Sequence, residues 1–479
     1  MELKVAGRAK HFIDGQWVEP FSDRRTNVVN PATEEIVGVI PQGTTQEVDR
    51  AVLAARRAFA HWSGVSKDER VSLLQRTVAA LERRHEELAY AITIEMGAPY
   101  EFSKGLQAMC GVWHIGVAIE LLKSYQFEQQ AGTTTIVKEP IGVCAIITPW
   151  NWPINQLVCK VAPALAAGCT MIVKPAENSP LSAMIFAECV EEAGFPPGVF
   201  NLVNGSGREL GPAMSSHPEV DMVSFTGSTN AGIQVAINAA ETVKRVSQEL
   251  GGKSANIILD DDSFAGAVSA GVAACFNNSG QTCIAPTRML VPMHRMDEAA
   301  EVARTVTANI RVGDPFDTDV ALGPVASRKQ FDSIQRYIDI GIEEGARLVA
   351  GGPGRPDGLV KGFYVRPTVF VDVAPTMRIA REEIFGPVLT IIGYESEDQA
   401  VEIANDSVYG LSGYVSSSNL DRARAIARRM RTGMVHINGA GPDFNAPFGG
   451  YKQSGNGREW GRAGLEEFLE TKAIMGFNV

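Results

Sequence analysis

The sequence has no C-x-x-C pair and an odd number of cysteines, seven in all: Cys110, Cys144, Cys159, Cys169, Cys189, Cys275 and Cys283. That pattern argues against a disulfide framework and a zinc ribbon, and free thiols imply a reducing compartment. Positive charge is in short supply, with 44 Lys plus Arg against 55 Asp plus Glu and a net charge of -11. A surface of that sign argues against nucleic acid or an anionic membrane as the main partner. Long apolar runs are missing too. Val161 to Val173, bounded by Lys160 and Lys174, falls well short of the roughly 18 residues a membrane span needs. Met1 to Gly15 mixes Glu2, Lys4, Arg8, Lys10 and Asp14 into its apolar residues and lacks the apolar core of a secretory signal. The seven histidines are scattered, without His-x-x-x-His or a carboxylate cluster at ligand spacing, so no metal is expected. What remains is a soluble cytoplasmic protein whose partner is a small molecule or another protein.

With 479 residues, 45% hydrophobic and 21% charged, the chain has the composition of a globular protein with two or three domains. Phe12-Ile13 and Trp17-Val18 flank an Asp14-Gly15 turn and predict a hairpin. Thr44-x-x-Glu47 and Ser66-x-x-Glu69 are capping boxes that open two amphipathic helices, the second running through Leu73, Leu81, Leu88 and Ile92. From Gly142 onward, short apolar runs at Val143 to Thr148, Met171 to Lys174, Val199 to Val203, Val220 to Phe225 and Val243 to Gln248 alternate with stretches of helical length. That alternation predicts a parallel sheet with helices on both faces.

A second series follows Gly251-Gly252: Asn256 to Leu259, Arg288 to Val291, Leu348 to Ala350, Val388 to Ile392, Leu411 to Val415 and Met434 to Ile437. Ser124 to Pro140 differs from both, because the strand formers Thr133 to Val137 have no covering helix beside them. Such a two-stranded arm is marginal alone and is expected to pair with another surface or subunit. The fold class is therefore α/β.

Several strand ends carry candidate chemistry. Gly205-Ser206-Gly207-Arg208-Glu209-Leu210-Gly211 nearly matches a dinucleotide fingerprint, but its last glycine stands one residue too far. Phe225-Thr226-Gly227-Ser228 closes a strand and opens a helix, where free N–H groups attract phosphate, although a plain N-cap explains it equally. Lys174 and Glu177 follow another strand. A carboxylate there can accept from a ribose hydroxyl and would repel a 2′-phosphate, and a solvated ion pair is the alternative.

Cys283 stands apart from the other cysteines because it follows the polar stretch Asn277 to Thr282, a setting that suits an exposed nucleophile. Asn151, between Trp150 and Trp152, could donate to an oxyanion or simply cap a turn. Glu249 lies between the two α/β series, where a cleft carboxylate can be a general base or an interdomain ion pair.

Taken together, these segments resemble the NAD(P)-dependent aldehyde dehydrogenase superfamily over essentially the whole chain. The resemblance rests on Thr148 to Pro153, Lys174 to Glu177, Phe225 to Ser228, Glu249 to Ser254, Gly280 to Cys283, Glu382 to Pro387 and Pro447 to Gly455, in the family's order and spacing. It implies two doubly wound, Rossmann-like α/β domains and a small β oligomerisation arm. It implies a cofactor domain at 1–120 and 141–248, a catalytic domain at 249–462, and an arm at 121–140 and 463–479. Cys283 is then the nucleophile, Asn151 and the Cys283 backbone N–H hold the oxyanion, and Glu249 activates the water that releases a carboxylic acid.

The same resemblance places Lys174 and Glu177 on the adenosine ribose. Trp150, Gly227 and Ser228 fall near the pyrophosphate, Glu383 on the nicotinamide ribose and Phe385 against the nicotinamide, with NAD favoured over NADP. Met109, Trp113, Thr282, Ile284 and Phe444 line an apolar aldehyde tunnel, beside which Asp443 is the charged exception. The arm and a C-terminal strand near Ala473 to Phe477 pair subunits into a homodimer or homotetramer. Two other readings stay open beside hydrolytic oxidation: a coenzyme-A-acylating relative, which typically lacks the glutamate, and a non-catalytic structural or binding protein on the same fold.

Overall fold

The computed structural model describes residues 3–477. Met1 and Glu2, at the start of the expected cofactor domain, and Asn478 and Val479, at the end of the expected arm, lie outside it. The predicted hairpin pairs His11–Ile13 with Gln16–Val18. Thr44 caps the helix Thr45–Trp62 and Glu47 returns a bond to the Thr44 N–H at 2.7 Å, completing the capping box. The helical run expected from Ser66 through Ile92 is two helices, Lys67–Arg83 and His85–Met96. Arg84 breaks it with non-helical dihedrals, and its guanidinium bridges Glu87 and Glu188.

Two large sheets carry the molecule. Five parallel strands of the first run in the order Arg245–Glu249, Met222–Thr226, Val143–Ile147, Thr170–Lys174, Phe200–Leu202. The hairpin joins one edge antiparallel and Gly455–Asn456 joins the other. Met222–Thr226, Val143–Ile147, Thr170–Lys174 and Phe200–Leu202 are buried along their whole length, as helix-covered parallel strands require, and Arg245–Glu249 is buried from Ser247 onward. The strand order reverses between Val143–Ile147 and Met222–Thr226, and such a switch opens a crevice at the carboxyl ends of the strands. Trp150 and Asn151 follow the first of these strands and Gly227 and Ser228 the second.

The second sheet runs Arg347–Ala350, Thr368–Val371, Val388–Tyr394, Arg288–Pro292, Ala255–Ile258, Ser412–Ser416, Met434–Ile437, all parallel except the antiparallel edge strand Arg347–Ala350. Thr368–Val371 has no counterpart in the sequence-based series, and neither has the separate ribbon Arg25–Val29 with Ile36–Pro41. The link from Glu249 through Gly251 and Gly252 to Ala255 joins the two sheets.

The arm is three-stranded. Thr134–Pro140 is its centre, flanked antiparallel by Glu128–Ala131 and by the C-terminal strand Leu469–Ile474, which starts four residues before the expected Ala473. Among the described residues one helical stretch, Tyr100–Ser124, is long and apolar enough to cross a membrane. It is broken by a π-helical turn at Ser103–Gln107 and packs against Lys67–Arg83 and Pro153–Ala167.

Candidate active site

The segment before Cys283 is set by its backbone. Asn278, Ser279 and Gly280 adopt positive φ in succession, at 54°, 55° and 72°, which costs free energy for the two non-glycine residues unless neighbours over-determine it. Neighbours do. Ser279 Oγ donates to the Gly323 carbonyl at 2.8 Å, Gln107 donates to Asn278 Oδ1 at 3.1 Å, and Ala326 N–H donates to Gln281 Oε1 at 2.9 Å. A side chain at Gly280 would run into the Gly386 backbone. Within the polar stretch, Asn278, Ser279, Gly280 and Gln281 are buried because their polar groups have protein partners. Cys283 itself is partly exposed, and the other six cysteines are buried. Burial, with the charges of Glu383, Glu249 and Glu459, holds its thiol above the ordinary range, against a bond from its own backbone N–H.

Asn151 meets this segment from the first sheet. Its side-chain amide donates to the Gln281 carbonyl at 3.0 Å, and its own carbonyl accepts from the Asn278 amide at 2.9 Å. Glu249 ends its strand beside Thr226. It is 2% exposed, and neither carboxylate oxygen has a hydrogen-bond partner among the described residues, so the interdomain ion pair weighed from sequence is absent. Burial first, then the charge of Glu459, raises its pKa well above the carboxylate range, opposed by Lys160 and Arg458. A buried carboxylate left unpaired is poised to take a proton.

Lys160 and Glu459 form a buried ion pair behind it. Lys160 Nζ also donates to Thr226 Oγ1 at 2.7 Å, and the Cys159 thiol donates to Glu459 Oε2 at 3.2 Å. Burial works against the Lys160 charge, but Glu459, Cys159 and Glu249 together outweigh it and raise its pKa. Sequence reasoning missed both residues. The signal for Lys160 was a lone charge interrupting an apolar helix, now Pro153–Ala167, which is buried along nearly its whole length; nothing around Glu459 marked it.

In the crevice, Lys174 is buried and donates to the carbonyls of Pro175 at 2.7 Å and Gly205 at 3.1 Å. Burial pulls its pKa down to about 8 against the charge of Glu177, which lies 4.0 Å away. Glu177 is exposed and accepts the Gly207 N–H at 2.9 Å. The glycine-rich turn of the near-miss fingerprint is therefore a partner of this pair. Ser228 is exposed and caps the helix Thr229–Ala239, and the Gly227 N–H donates to the Glu249 carbonyl at 3.1 Å. Trp150 stands edge-on to Phe385 with centroids 5.4 Å apart. Glu383 Oε1 accepts the Gly252 N–H at 2.8 Å, and burial raises its pKa to about 7.

Of the expected tunnel residues, Ile284 and Phe444 pack with Cys283 against one small apolar cluster of Cys159, Leu411, Phe448 and Trp460. Trp113 joins through Phe444 at 5.5 Å. Thr282 Oγ1 accepts from Trp152 Nε1 at 3.0 Å, and the Ile284 carbonyl accepts from Tyr414 at 2.9 Å. Met109 begins the helix Met109–Ser124 and is partly exposed, and Asp443 is exposed. Among the described residues no group of three or more His, Cys, Asp and Glu could hold a metal ion.

Two doubly wound sheets, with a strand-order switch beside a half-buried thiol and an unpaired buried carboxylate, have the architecture of nucleotide-dependent α/β enzymes. Residues 17–474 match the aldehyde dehydrogenase family, and the chain belongs to it. It is 57% identical over 467 residues to a 3-succinoylsemialdehyde-pyridine dehydrogenase of a Pseudomonas species, covering 97% of this chain and 98% of that one. A cysteine-to-alanine mutant of aldehyde dehydrogenase C from Pseudomonas syringae, solved with NAD+ and octanal, superposes with a TM-score of 0.97 at 55% identity, covering 99% of this chain and 97% of that one. Betaine aldehyde dehydrogenase from Staphylococcus aureus in complex with NAD+ gives 0.95 at 38% identity, covering 98% and 95%.

Proposed function

We propose that this protein oxidises an aldehyde to the carboxylic acid with NAD, through a covalent thioester on Cys283. The observation that carries the reading is the pairing of a half-buried thiol with Glu249, a buried carboxylate with two unpartnered oxygens. The crevice residues fit a dinucleotide. Ser228 offers the N-terminus of an eleven-residue helix to phosphate. Trp150 belongs beside it, Lys174 and Glu177 would hold the adenosine ribose, Glu383 the nicotinamide ribose, and Phe385 would pack on the nicotinamide. An exposed carboxylate at Glu177 favours the 2′-hydroxyl of NAD over the 2′-phosphate of NADP. When bound, NAD supplies the hydride acceptor.

The chain's own residues do the rest. The Cys283 thiol loses its proton to solvent as the sulfur adds to the carbonyl carbon, and the Asn151 amide and the Cys283 N–H hold the oxygen as it becomes negative. Loss of hydride from the adduct leaves a thioester. Glu249 takes a proton from water, the hydroxide attacks the thioester carbon, and the C–S bond breaks to release the acid and return the thiolate. Lys160 and Glu459 sit next to Glu249 in charge terms and tune when it can accept that proton.

The division into a cofactor domain at 1–120 and 141–248, a catalytic domain at 249–462 and an oligomerisation arm at 121–140 and 463–479 belongs to the same proposal. So do a homodimer or homotetramer and a cytoplasmic location, which the seven unpaired thiols support. For substrate, the apolar surroundings of Cys283 favour an aliphatic or aromatic aldehyde over a charged one. NADH absorbance on mixing enzyme, NAD and octanal tests the reading: steady turnover without coenzyme A, lost in Cys283→Ala, is expected. Turnover in that variant at the rate of the unmodified enzyme would overturn it.

A further inference from the structure

One pair of stacked rings joins the loop of Cys283 to the loop that carries Phe444. Tyr414 and His436 are register partners on the neighbouring parallel strands Ser412–Ser416 and Met434–Ile437. Their rings stack at 4.7 Å with planes 14° apart. Rings on paired strands are placed by the sheet beneath them, so neither shifts alone.

Each ring reaches one loop. The Tyr414 hydroxyl donates to the Ile284 carbonyl at 2.9 Å, one residue past Cys283. Burial above all keeps that phenol from ionising, so it stays a donor. His436 is 9% exposed, and its Nδ1 lies 2.8 Å from the Ala440 carbonyl. A carbonyl only accepts, so Nδ1 carries the proton, and Nε2 is left without a partner among the described residues. Burial lowers the ring's pKa against the bond to Ala440, which keeps the imidazole neutral.

Ala440 lies in the turn that follows this strand. Asn438 and Gly439 adopt positive φ, at 51° and 72°, and the Asn438 side chain exchanges two bonds with the Ser417 backbone, at 2.9 and 3.0 Å. Four residues past Ala440, Phe444 packs against the same apolar cluster as Cys283 and Ile284. The stack therefore has one hydrogen bond to each of two loops that meet at the thiol.

We propose that Tyr414 and His436 are a linked pair of positioning residues, Tyr414 setting the loop of the nucleophile and His436 setting the loop that lays Phe444 against the tail of a long aldehyde. This rests on the aldehyde oxidation proposed above. Preference for chain length is then governed partly by two rings that act through other residues, and disturbing their stack disturbs both loops.

Stopped-flow NADH formation in the first turnover, at saturating NAD, separates the two settings. The limiting rate reads the placement of the thiol, and the aldehyde concentration that gives half of it reads the fit of the tail. Propanal and octanal are compared, because in the proposed pose only the longer chain reaches Phe444. Tyr414→Phe keeps the stack and loses the bond to Ile284. The limiting rate falls about fivefold with both aldehydes, the weight of one such bond, and half-saturation holds. His436→Phe keeps the stack and loses the bond to Ala440. Half-saturation with octanal rises about fivefold, while that with propanal and both limiting rates hold. Tyr414→Leu breaks the stack together with the bond, so both effects appear with octanal, and it decides the matter if His436→Phe does not fold. A purely structural role would move all of these readings alike. An unchanged limiting rate in Tyr414→Phe, or equal half-saturation shifts for propanal and octanal in the other folded variants, overturns the proposal. Failure of the unmodified enzyme to form NADH from either aldehyde would instead remove the aldehyde dehydrogenase reading beneath it.

Discussion

The side-chain amide of Asn151 donates to the carbonyl of Gln281 at 3.0 Å, two residues ahead of Cys283. An amide nitrogen carries two protons, so one anchors the Cys283 loop and the other can serve the oxyanion proposed above. Asn151→Ala removes both but keeps the backbone carbonyl gripped by Asn278. A fall in kcat of roughly 10²- to 10³-fold, the cost of losing one oxyanion donor, is expected in steady-state assays with a folded, NAD-binding protein. Near-normal kcat would move the oxyanion site elsewhere.

The pH dependence of thioester hydrolysis should follow Glu249. Its pKa is raised, so the base form appears, and the rate climbs, only above the ordinary carboxylate range. Lys160 opposes that rise and Glu459 adds to it. Lys160→Met therefore shifts the ascending limb to higher pH, and Glu459→Gln shifts it to lower pH. Single-turnover decay of the acyl-enzyme across pH reads both. Shifts in the same direction would show that the pair acts only through folding.

In the proposed cofactor pose, the choice between NAD and NADP turns on one exposed carboxylate, Glu177. Glu177→Ser removes the charge that would face a 2′-phosphate, and a like-charge contact costs a kcal/mol or more. The ratio of kcat/KM for NADP to that for NAD should rise on the order of tenfold. An unchanged ratio would place the 2′ end of the cofactor away from this strand end.

The arm leaves apolar surface uncovered. Met475 is 76% and Phe477 58% exposed, just beyond the edge strand Leu469–Ile474. Exposed edges and apolar patches mark pairing surfaces. Changing both residues to Asp should lower the particle mass measured by light scattering on a size-exclusion column. An unchanged oligomer would exclude this end of the chain from subunit contact.

Much of the fold was legible because parallel strands and covering helices leave a strong pattern of apolar runs. Thr44 and Glu47 announced their helix through a local capping exchange. Arg84 was invisible, since the apolar spacing continues through the break it makes. Thr368–Val371 was missed because four residues carry little periodicity, and its pairing is long-range. At the site, Cys283, Glu249 and Asn151 could be picked from strand ends and polar loops. Their electrostatic setting could not: Glu459 follows Lys160 by 299 residues and meets it only through the fold. The polarity of Asn277 to Thr282 pointed to an accessible Cys283 but not to the buried hydrogen bonds that hold Ser279 and Gln281.

Whether Cys283 carries the acyl group is read by intact-protein and peptide mass spectrometry of Glu249→Gln, mixed with NAD and octanal and quenched within one turnover. One equivalent of NADH and an octanoyl adduct on the peptide holding Cys283 are expected, the adduct persisting because no base activates water. NADH formation without that adduct, or an adduct on another residue, would contradict that assignment.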